Sequence, residues 1–162
     1  MKAISRTAWL AYGLAAGVIV LDQIVKAWIL NASGLGPGQS APVWGPFYLT
    51  LVQNRGVSFG LFQSDADWTR WALAAFSLIV ALVLAGWVRR ADKPLLGLAV
   101  GLIMGGAVGN LIDRIARGSV TDFVDVQRLH FPWVFNVADS AITVGILLLL
   151  AENLLVPRGP AR

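Results

Sequence analysis

A chain of 162 residues that is 57% hydrophobic, only 14% charged and of mean hydropathy +0.69 departs from ordinary soluble domains, which are about a quarter charged; its apolar residues bunch into long runs, as in membrane proteins. The lack of cysteine excludes disulfides, thiolate metal sites and a cysteine nucleophile, while a single histidine, His130, excludes a multi-histidine metal centre and leaves a Ser-His-Asp triad one candidate base. The net charge of +4 is modest and the cations form no long patch, so nucleic acid is not an expected partner; hydrolytic chemistry falls by elimination to carboxylates.

Four stretches reach the roughly 20 residues that a span needs, at about 8–30, 68–88, 95–112 and 135–155. In the first, the uninterrupted part, 8–21, covers only about 21 Å at the helical rise, so the span must include Asp22 and Lys26. These two are spaced i, i+4 with the acid first, the favourable order for a helical ion pair. Either they neutralise each other inside the span, or they organise an active-site network. A cleavable signal peptide, with Lys2 and Arg6 ahead of the apolar run, is the alternative for this segment. Asp22 and Lys26 suit it poorly, and three remaining spans would put the termini on opposite sides. Trp9, Trp68, Trp71 and Trp87 lie near span ends, as interfacial tryptophans do.

The connection after the first span, 31–67, opens with Gly34, Gly36, Pro37, Gly38, Pro42, Gly45 and Pro46 and then alternates from Phe47 to Val52. It predicts a small β element on the membrane surface, with Asp65 and Asp67 near its end. After the second span comes a short loop crowded with Arg89, Arg90 and Lys93. Together with Lys2, Arg6, Arg158 and Arg162, this loop places both termini and the loop in the cytoplasm, although Arg55, Arg70, Arg114, Arg117 and Arg128 fall outside.

In the third span Gly97, Gly101, Gly105 and Gly109 recur every fourth residue and line one face, either as a packing seam within the bundle or as a dimerisation face. Gly106 is expected to widen that groove outward. Asn110, Asp113 and Arg114 close the span. The connection 113–133 is polar and predicts a short helix; on their own, Asp122 and Asp125 read there as solvated loop acids. At the head of the fourth span Asn136 and Asp139 are i, i+3, and a carboxylate in the first turn gains from the helix dipole. Capping alone could explain Asp139. However, about 16 mostly apolar residues follow it.

Seven acids, Asp22, Asp65, Asp67, Asp113, Asp122, Asp125 and Asp139, gather at the outer edge, against Asp92 and Glu152 at the other. Burying a carboxylate in a span costs about 2.5 kcal/mol or more, which makes such groups functional candidates. Only about 20 residues link the last two spans, so Asp113, Asp122 and Asp139 can converge; spacing pairs Asp113 with Asp139 as readily as Asp122. Two close carboxylates share a proton, so one can deprotonate water while the other donates to a substrate carbonyl. No metal or cofactor is needed. A proton-coupled transporter subunit is the rival reading, but such proteins place ionisable groups near the midplane and often show internal repeats. A non-catalytic scaffold would explain the glycines and leave the aspartates unexplained.

Asp22-Gln23 with Lys26, Asn54-Arg55-Gly56 leading to Phe59-Gly60, Gly105-Gly106 through Gly109-Asn110 to Asp113-Arg114, Val120-Thr121-Asp122-Phe123, and Phe135-Asn136-Val137-Ala138-Asp139-Ser140 resemble the lipoprotein signal peptidase family in order and spacing over essentially the whole chain. The resemblance implies a membrane all-α fold of four transmembrane helices, with an outer-face β-cradle and a short periplasmic helix. All of 1–162 would then be one integral membrane peptidase domain. It implies a catalytic pair at Asp122 and Asp139, supported by Asp22, Lys26, Asn54, Gly56, Asn110, Asp113, Arg114, Asn136 and Ala138, with neither metal nor cofactor. It further implies an aspartic endopeptidase of the bacterial inner membrane, acting at the periplasmic face. The implied substrate is a prolipoprotein whose cysteine already carries diacylglycerol, cut just before that cysteine. Membrane lipid and the inhibitor globomycin are the other implied partners, and a monomer is expected. Phe59, Phe62, Phe123 and Trp133 are candidates to cover the cleft.

Overall fold

The computed structural model describes residues 3–56 and 67–155; the expectations at Lys2, Phe59, Gly60, Phe62, Asp65, Arg158 and Arg162 lie outside them. Four helices, α1 (Arg6–Ala32), α2 (Asp67–Val88), α3 (Pro94–Arg117) and α4 (Val137–Leu155), alternate in direction, and all four are long and apolar enough to cross a membrane. Their burial is inverted relative to a soluble bundle. Helix α1 buries Ala8, Ala11, Ala15, Val18, Asp22, Lys26 and Ile29, one stripe at three- and four-residue steps, and exposes Leu10, Val20, Leu21, Ile24 and Trp28. Small and polar side chains face inward while large apolar ones face out. In lipid, association rests on close packing and interhelical polar contacts, so the large apolar surface stays outside.

Helix α3 is the centre of this packing. Pro94 occupies its first turn, where a missing N–H costs nothing, and Gly118 ends it in the left-handed region at φ 80°, donating its N–H to Arg114 O. The helix thus runs five residues beyond the expected 112. Asp113, Arg114 and Arg117 are helix residues because their polar groups are paired within the protein, which sequence polarity alone does not reveal. The glycine seam closes inside the bundle. A Cβ at Gly97 would lie 2.5 Å from Thr7 Cγ2, at Gly101 2.8 Å from Ala11 O, at Gly105 2.7 Å from Val18 Cβ and at Gly109 2.7 Å from Asp22 Oδ2, all on α1.

Gly106 does not belong to that groove. It faces α4, where an added Cβ would sit 2.3 Å from Ala138 O and 2.7 Å from Ile142 Cγ1. Backbone cannot yield as a side-chain tip can, so Gly106→Ala is expected to cost about 1–3 kcal/mol and to displace the head of α4. A lowered unfolding midpoint in detergent, with Gly13→Ala unchanged or raised as control (nothing lies within 4 Å of a Cβ there, and alanine favours the helix), would check this.

The two connections at the end where α1 finishes and α4 starts join in one antiparallel sheet, β1 (Ser40–Trp44), β2 (Phe47–Asn54), β3 (Val120–Asp125) and β4 (Val134–Phe135), in sequence order across the sheet. The β element expected at 47–52 is therefore larger than the alternation suggests. Its third strand, in a segment read as loop, holds Asp122 and Asp125. Strand β3 is buried almost throughout, so polar and apolar residues do not alternate along it. Asp125 is not a solvated acid: it accepts from Thr50 Oγ1 at 2.5 Å and from Gln127 N at 2.8 Å. The short helix expected in this connection is a single 3-10 turn, Gln127–Leu129.

Candidate active site

Where the sheet meets the bundle, Asp122 and Asp139 approach from different elements. Asp122 projects from β3, opposite Val52 of β2, with Asn54 two residues further along the same strand. On a pleated sheet this puts Asn54 and Asp122 on one face as diagonal neighbours. Asp139 arrives on the first turn of α4. Asn136 is the cap of that helix: its Oδ1 accepts from Asp139 N at 2.9 Å. The pair expected to share a helical face is thus a cap and the residue it caps.

Both carboxylates are held by asparagine amides. Asp122 accepts from Asn54 Nδ2 at 2.9 Å and from Asn136 Nδ2 at 2.6 Å, and Asp139 Oδ1 accepts from Asn110 Nδ2 at 2.8 Å. In each amide the oxygen is already engaged by an N–H that cannot reverse its role: Gly56 N for Asn54 (2.9 Å), Lys26 Nζ for Asn110 (3.1 Å) and Asp139 N for Asn136. An amide whose oxygen is occupied has only its NH2 left to offer. The three orientations are therefore imposed, and each NH2 is aimed at a carboxylate. Asn136 Nδ2 also reaches Asn110 Oδ1 at 3.2 Å, which joins the two carboxylates through one amide chain.

Behind this chain lies a buried ionic layer. Lys26, fully buried, contacts Asp22 Oδ2 at 2.8 Å and Asp113 Oδ2 at 3.2 Å. Asp22 Oδ1 accepts from Ala138 N at 2.9 Å, so this acid from α1 and the Asn136 cap together satisfy two of the open N–H groups of α4. Asp113 accepts from Thr121 N (2.9 Å), Gln23 Nε2 (3.1 Å) and Arg117 Nη1 (2.5 Å) as well as Lys26. Its oxygens are occupied on every side, and it ties the start of β3 to the end of α3. Arg114 donates from Nη2 to Gly56 O at 3.2 Å, holding the backbone whose N–H orients Asn54.

Asp22, Lys26, Asn54, Gly56, Asn110, Asp113, Arg114, Asn136 and Ala138 are thus all gathered around Asp122 and Asp139. Asp113 and Asp122 differ in their surroundings. Asp113 is consumed by structural contacts, whereas Asp122 lies in the field of Asp139: burial, and then the Asp139 carboxylate, push Asp122 up to about 7, against the lowering effect of the Asn54 and Asn136 donors.

Three participants carried weaker sequence signals. Gln23 bridges Asp22, Asp113 and Gly109 O; its place beside Asp22 was the available hint. Arg117 stands i+4 from Asp113. Arg70 donates to Arg114 O at 2.7 Å and Ile115 O at 2.8 Å, satisfying the last carbonyls of α3, and no local pattern announces it.

Trp133 lines an apolar cavity of about 320 Å3 with Phe135, Asp139, Ser140, Thr143 and Val144, which runs from Asp139 down one side of α4. Phe123 does not cover it; Phe123 packs with Ile29 and Leu51 on the opposite side of β3 from Asp122. No group of metal-ligating side chains occurs among the described residues.

Fold and site together define a multi-span membrane protein with two amide-wired carboxylates at one end of its bundle. The model of the family described as signal peptidase (SPase) II matches residues 14–155. The chain belongs to that family and is a membrane peptidase. It is 56% identical over 153 residues to the lipoprotein signal peptidase of Caulobacter vibrioides, covering 94% of this chain and 90% of that protein. It is 44% identical over 146 residues to the lipoprotein signal peptidase of a Methylobacterium species, covering 89% and 88%. Two solved structures, each described as a bacterial membrane enzyme, share the fold. One has a TM-score of 0.78 at 24% identity over 100% of this chain and 99% of that one, the other 0.76 at 26% identity over 95% and 97%. The chain is accordingly a multi-pass bacterial membrane protein.

Proposed function

We propose that this single peptidase domain removes the signal peptide from diacylglyceryl-modified prolipoproteins, cutting before the lipidated cysteine, with Asp122 and Asp139 as its catalytic pair. The observation that carries the reading is the pair itself: two carboxylates from separate elements, each held by an amide of imposed orientation, beside an apolar cavity that opens along α4. One carboxylate takes a proton from water, and the resulting hydroxide adds to the scissile carbonyl. The other carboxyl gives its proton to the carbonyl oxygen. Collapse of the tetrahedral adduct breaks the C–N bond as the proton held by the first carboxylate passes to the leaving amine and a hydroxyl proton of the adduct returns to the second carboxylate. The apolar cavity suits a substrate that arrives from the membrane plane with hydrocarbon attached. The transporter alternative is disfavoured because the wired acids sit at one end of the bundle.

In this reading both termini and the Arg89–Lys93 turn face the cytoplasm of an inner membrane, and the sheet and site face the periplasm. The clustering of Arg6, Arg89, Arg90 and Lys93 at one end supports this orientation. A monomer suffices, since the glycine seam of α3 is filled by α1. Globomycin-type cyclic peptides are expected to inhibit by occupying the same cleft. Purified protein should convert a lipidated precursor to its mature form on a gel and leave the unlipidated precursor intact. Equal cutting of both would overturn the substrate assignment.

The pair also sets a pH dependence. With Asp122 raised from 3.8 to about 7, the shared proton is held below about 7 and lost above it. Cleavage, as kcat/KM, is expected to fall about tenfold per unit beyond that point, as the pair's upper titration step. Stability carries the same sign. The folded state binds the proton more tightly than the unfolded chain, so this contribution is full below 3.8 and is lost as pH rises through about 7. Unfolding midpoints across pH 4–8 should show the decline, and Asp122→Asn should flatten it.

A further inference from the structure

At the opposite end of the bundle from the carboxylates, the turn between α2 and α3 borders a cavity of about 770 Å3, whose lining includes Gly86, Trp87, Arg89, Arg90, Lys93 and Glu152. Its charges are unevenly satisfied. Lys93 is paired with Glu152, which is 7% exposed and comes from the last turns of α4. Asp92, exposed at the rim, is the remaining acid. Arg89 and Arg90 are exposed, and their guanidinium groups make no hydrogen bond or ion pair among the described residues.

The backbone beneath these arginines is fixed. Arg89 O accepts from Ser5 N at 3.0 Å, Ala91 O from Ser5 Oγ at 2.6 Å and Asp92 O from Thr7 Oγ1 at 3.3 Å, so the start of α1 staples the turn. The other wall is apolar. Trp87, 52% exposed, continues the outward row of Leu82 and Val83 on α2, and a Cβ at Gly86 would meet nothing within 4 Å. The cavity therefore has one membrane-facing wall with an interfacial tryptophan and one polar wall with two uncommitted guanidinium groups.

We propose that this cavity binds the headgroup of an anionic phospholipid, its phosphate taken by Arg89 and Arg90 and its glycerol end resting against Trp87. Guanidinium groups match phosphate oxygens in a two-pronged fork, and basic pockets between helices at a membrane face are suited to acidic headgroups. A lipid, not free phosphate, is the occupant because the cavity lies against the exposed apolar row of α2, where acyl chains continue the contact. The inference depends on the chain spanning a bilayer and is independent of the peptidase reading.

Native mass spectrometry of the full-length protein, titrated with phosphatidylglycerol, phosphatidylcholine or inorganic phosphate, tests it. Phosphatidylglycerol should bind, phosphatidylcholine should bind at least tenfold more weakly, and inorganic phosphate should not displace the lipid. Arg89→Gln with Arg90→Gln should weaken phosphatidylglycerol binding roughly thirtyfold, at about a factor of five per lost cation near the surface. Arg128→Gln, which removes an exposed cation stacked on Tyr48 near the sheet, should leave it unchanged. Both replaced arginines are exposed, so the double variant should keep the wild-type unfolding midpoint. Equal phosphatidylglycerol binding by wild type and double variant, or displacement by inorganic phosphate at matched concentration, would overturn the proposal.

Discussion

Asp139→Asn is expected to reduce conversion of a lipidated precursor at least 100-fold, in line with the about 10²–10⁴-fold that one positioned acid or base contributes, while leaving the protein folded. Asparagine keeps the shape of the side chain and still offers an oxygen to Asn110 Nδ2, which now donates to Asp139 Oδ1 at 2.8 Å. The variant therefore loses the proton chemistry and retains the hydrogen bond. Asp122→Asn should abolish processing as well, at a structural cost. Asp122 receives N–H groups on both oxygens, from Asn54 and Asn136, and an asparagine there must set its own NH2 against one of them, leaving a buried donor unmet at about 1–3 kcal/mol. The predicted order is equal loss of cleavage but a lower unfolding midpoint for Asp122→Asn. The double variant should be no slower than either single one, because the two groups act as a unit. Near-normal cleavage by folded Asp139→Asn would falsify the assignment of the pair.

Lys26→Met carries the second large effect, this time on the fold first. Lys26 is the shared cation between Asp22 and Asp113, and all three are fully buried. Removing one partner of a buried ionic cluster costs about 3–5 kcal/mol because uncompensated charge stays inside. For a chain of this size that corresponds to a midpoint lowered by roughly 10 °C. The site should fail too. Without Lys26 the oxygen of Asn110 keeps only the 3.2 Å contact from Asn136 Nδ2, so the NH2 that it aims at Asp139 is held less firmly. Adding Asp22→Asn should recover part of the stability, since it removes one stranded charge, but not the activity. A Lys26→Met protein that keeps both its midpoint and its cleavage rate would show that the ionic layer does not support the carboxylate pair.

Much of this arrangement was legible before folding was considered. The four spans follow from run length, and the structure moves their ends by only a few residues except at α3, which continues to Arg117. There the polarity of Asn110, Asp113 and Arg114 looked like the membrane boundary. These groups instead find partners in Gln23, Lys26, Asp139, Gly56 and Thr121, so the helix continues without exposing them. Strand β3 was the main loss. A strand buried on both faces, with Thr121, Asp122 and Asp125 hydrogen-bonded internally, has no period-two polarity to read.

By itself the sequence determined that the chain spans a membrane four times, that carboxylates are its available chemistry, and that glycines line one face of α3 for close approach of another helix. Run length, residue inventory and four-residue spacing are local properties, and local properties survive without coordinates. Only the tertiary structure put Asp122 on the amide chain that reaches Asp139. That placement depends on the register that sets Val52 opposite Asp122, and on amide orientations imposed by Lys26, Gly56 and the head of α4. These contacts join groups far apart in the chain, and hydrogen-bond direction between them is fixed only once each donor has met its acceptor.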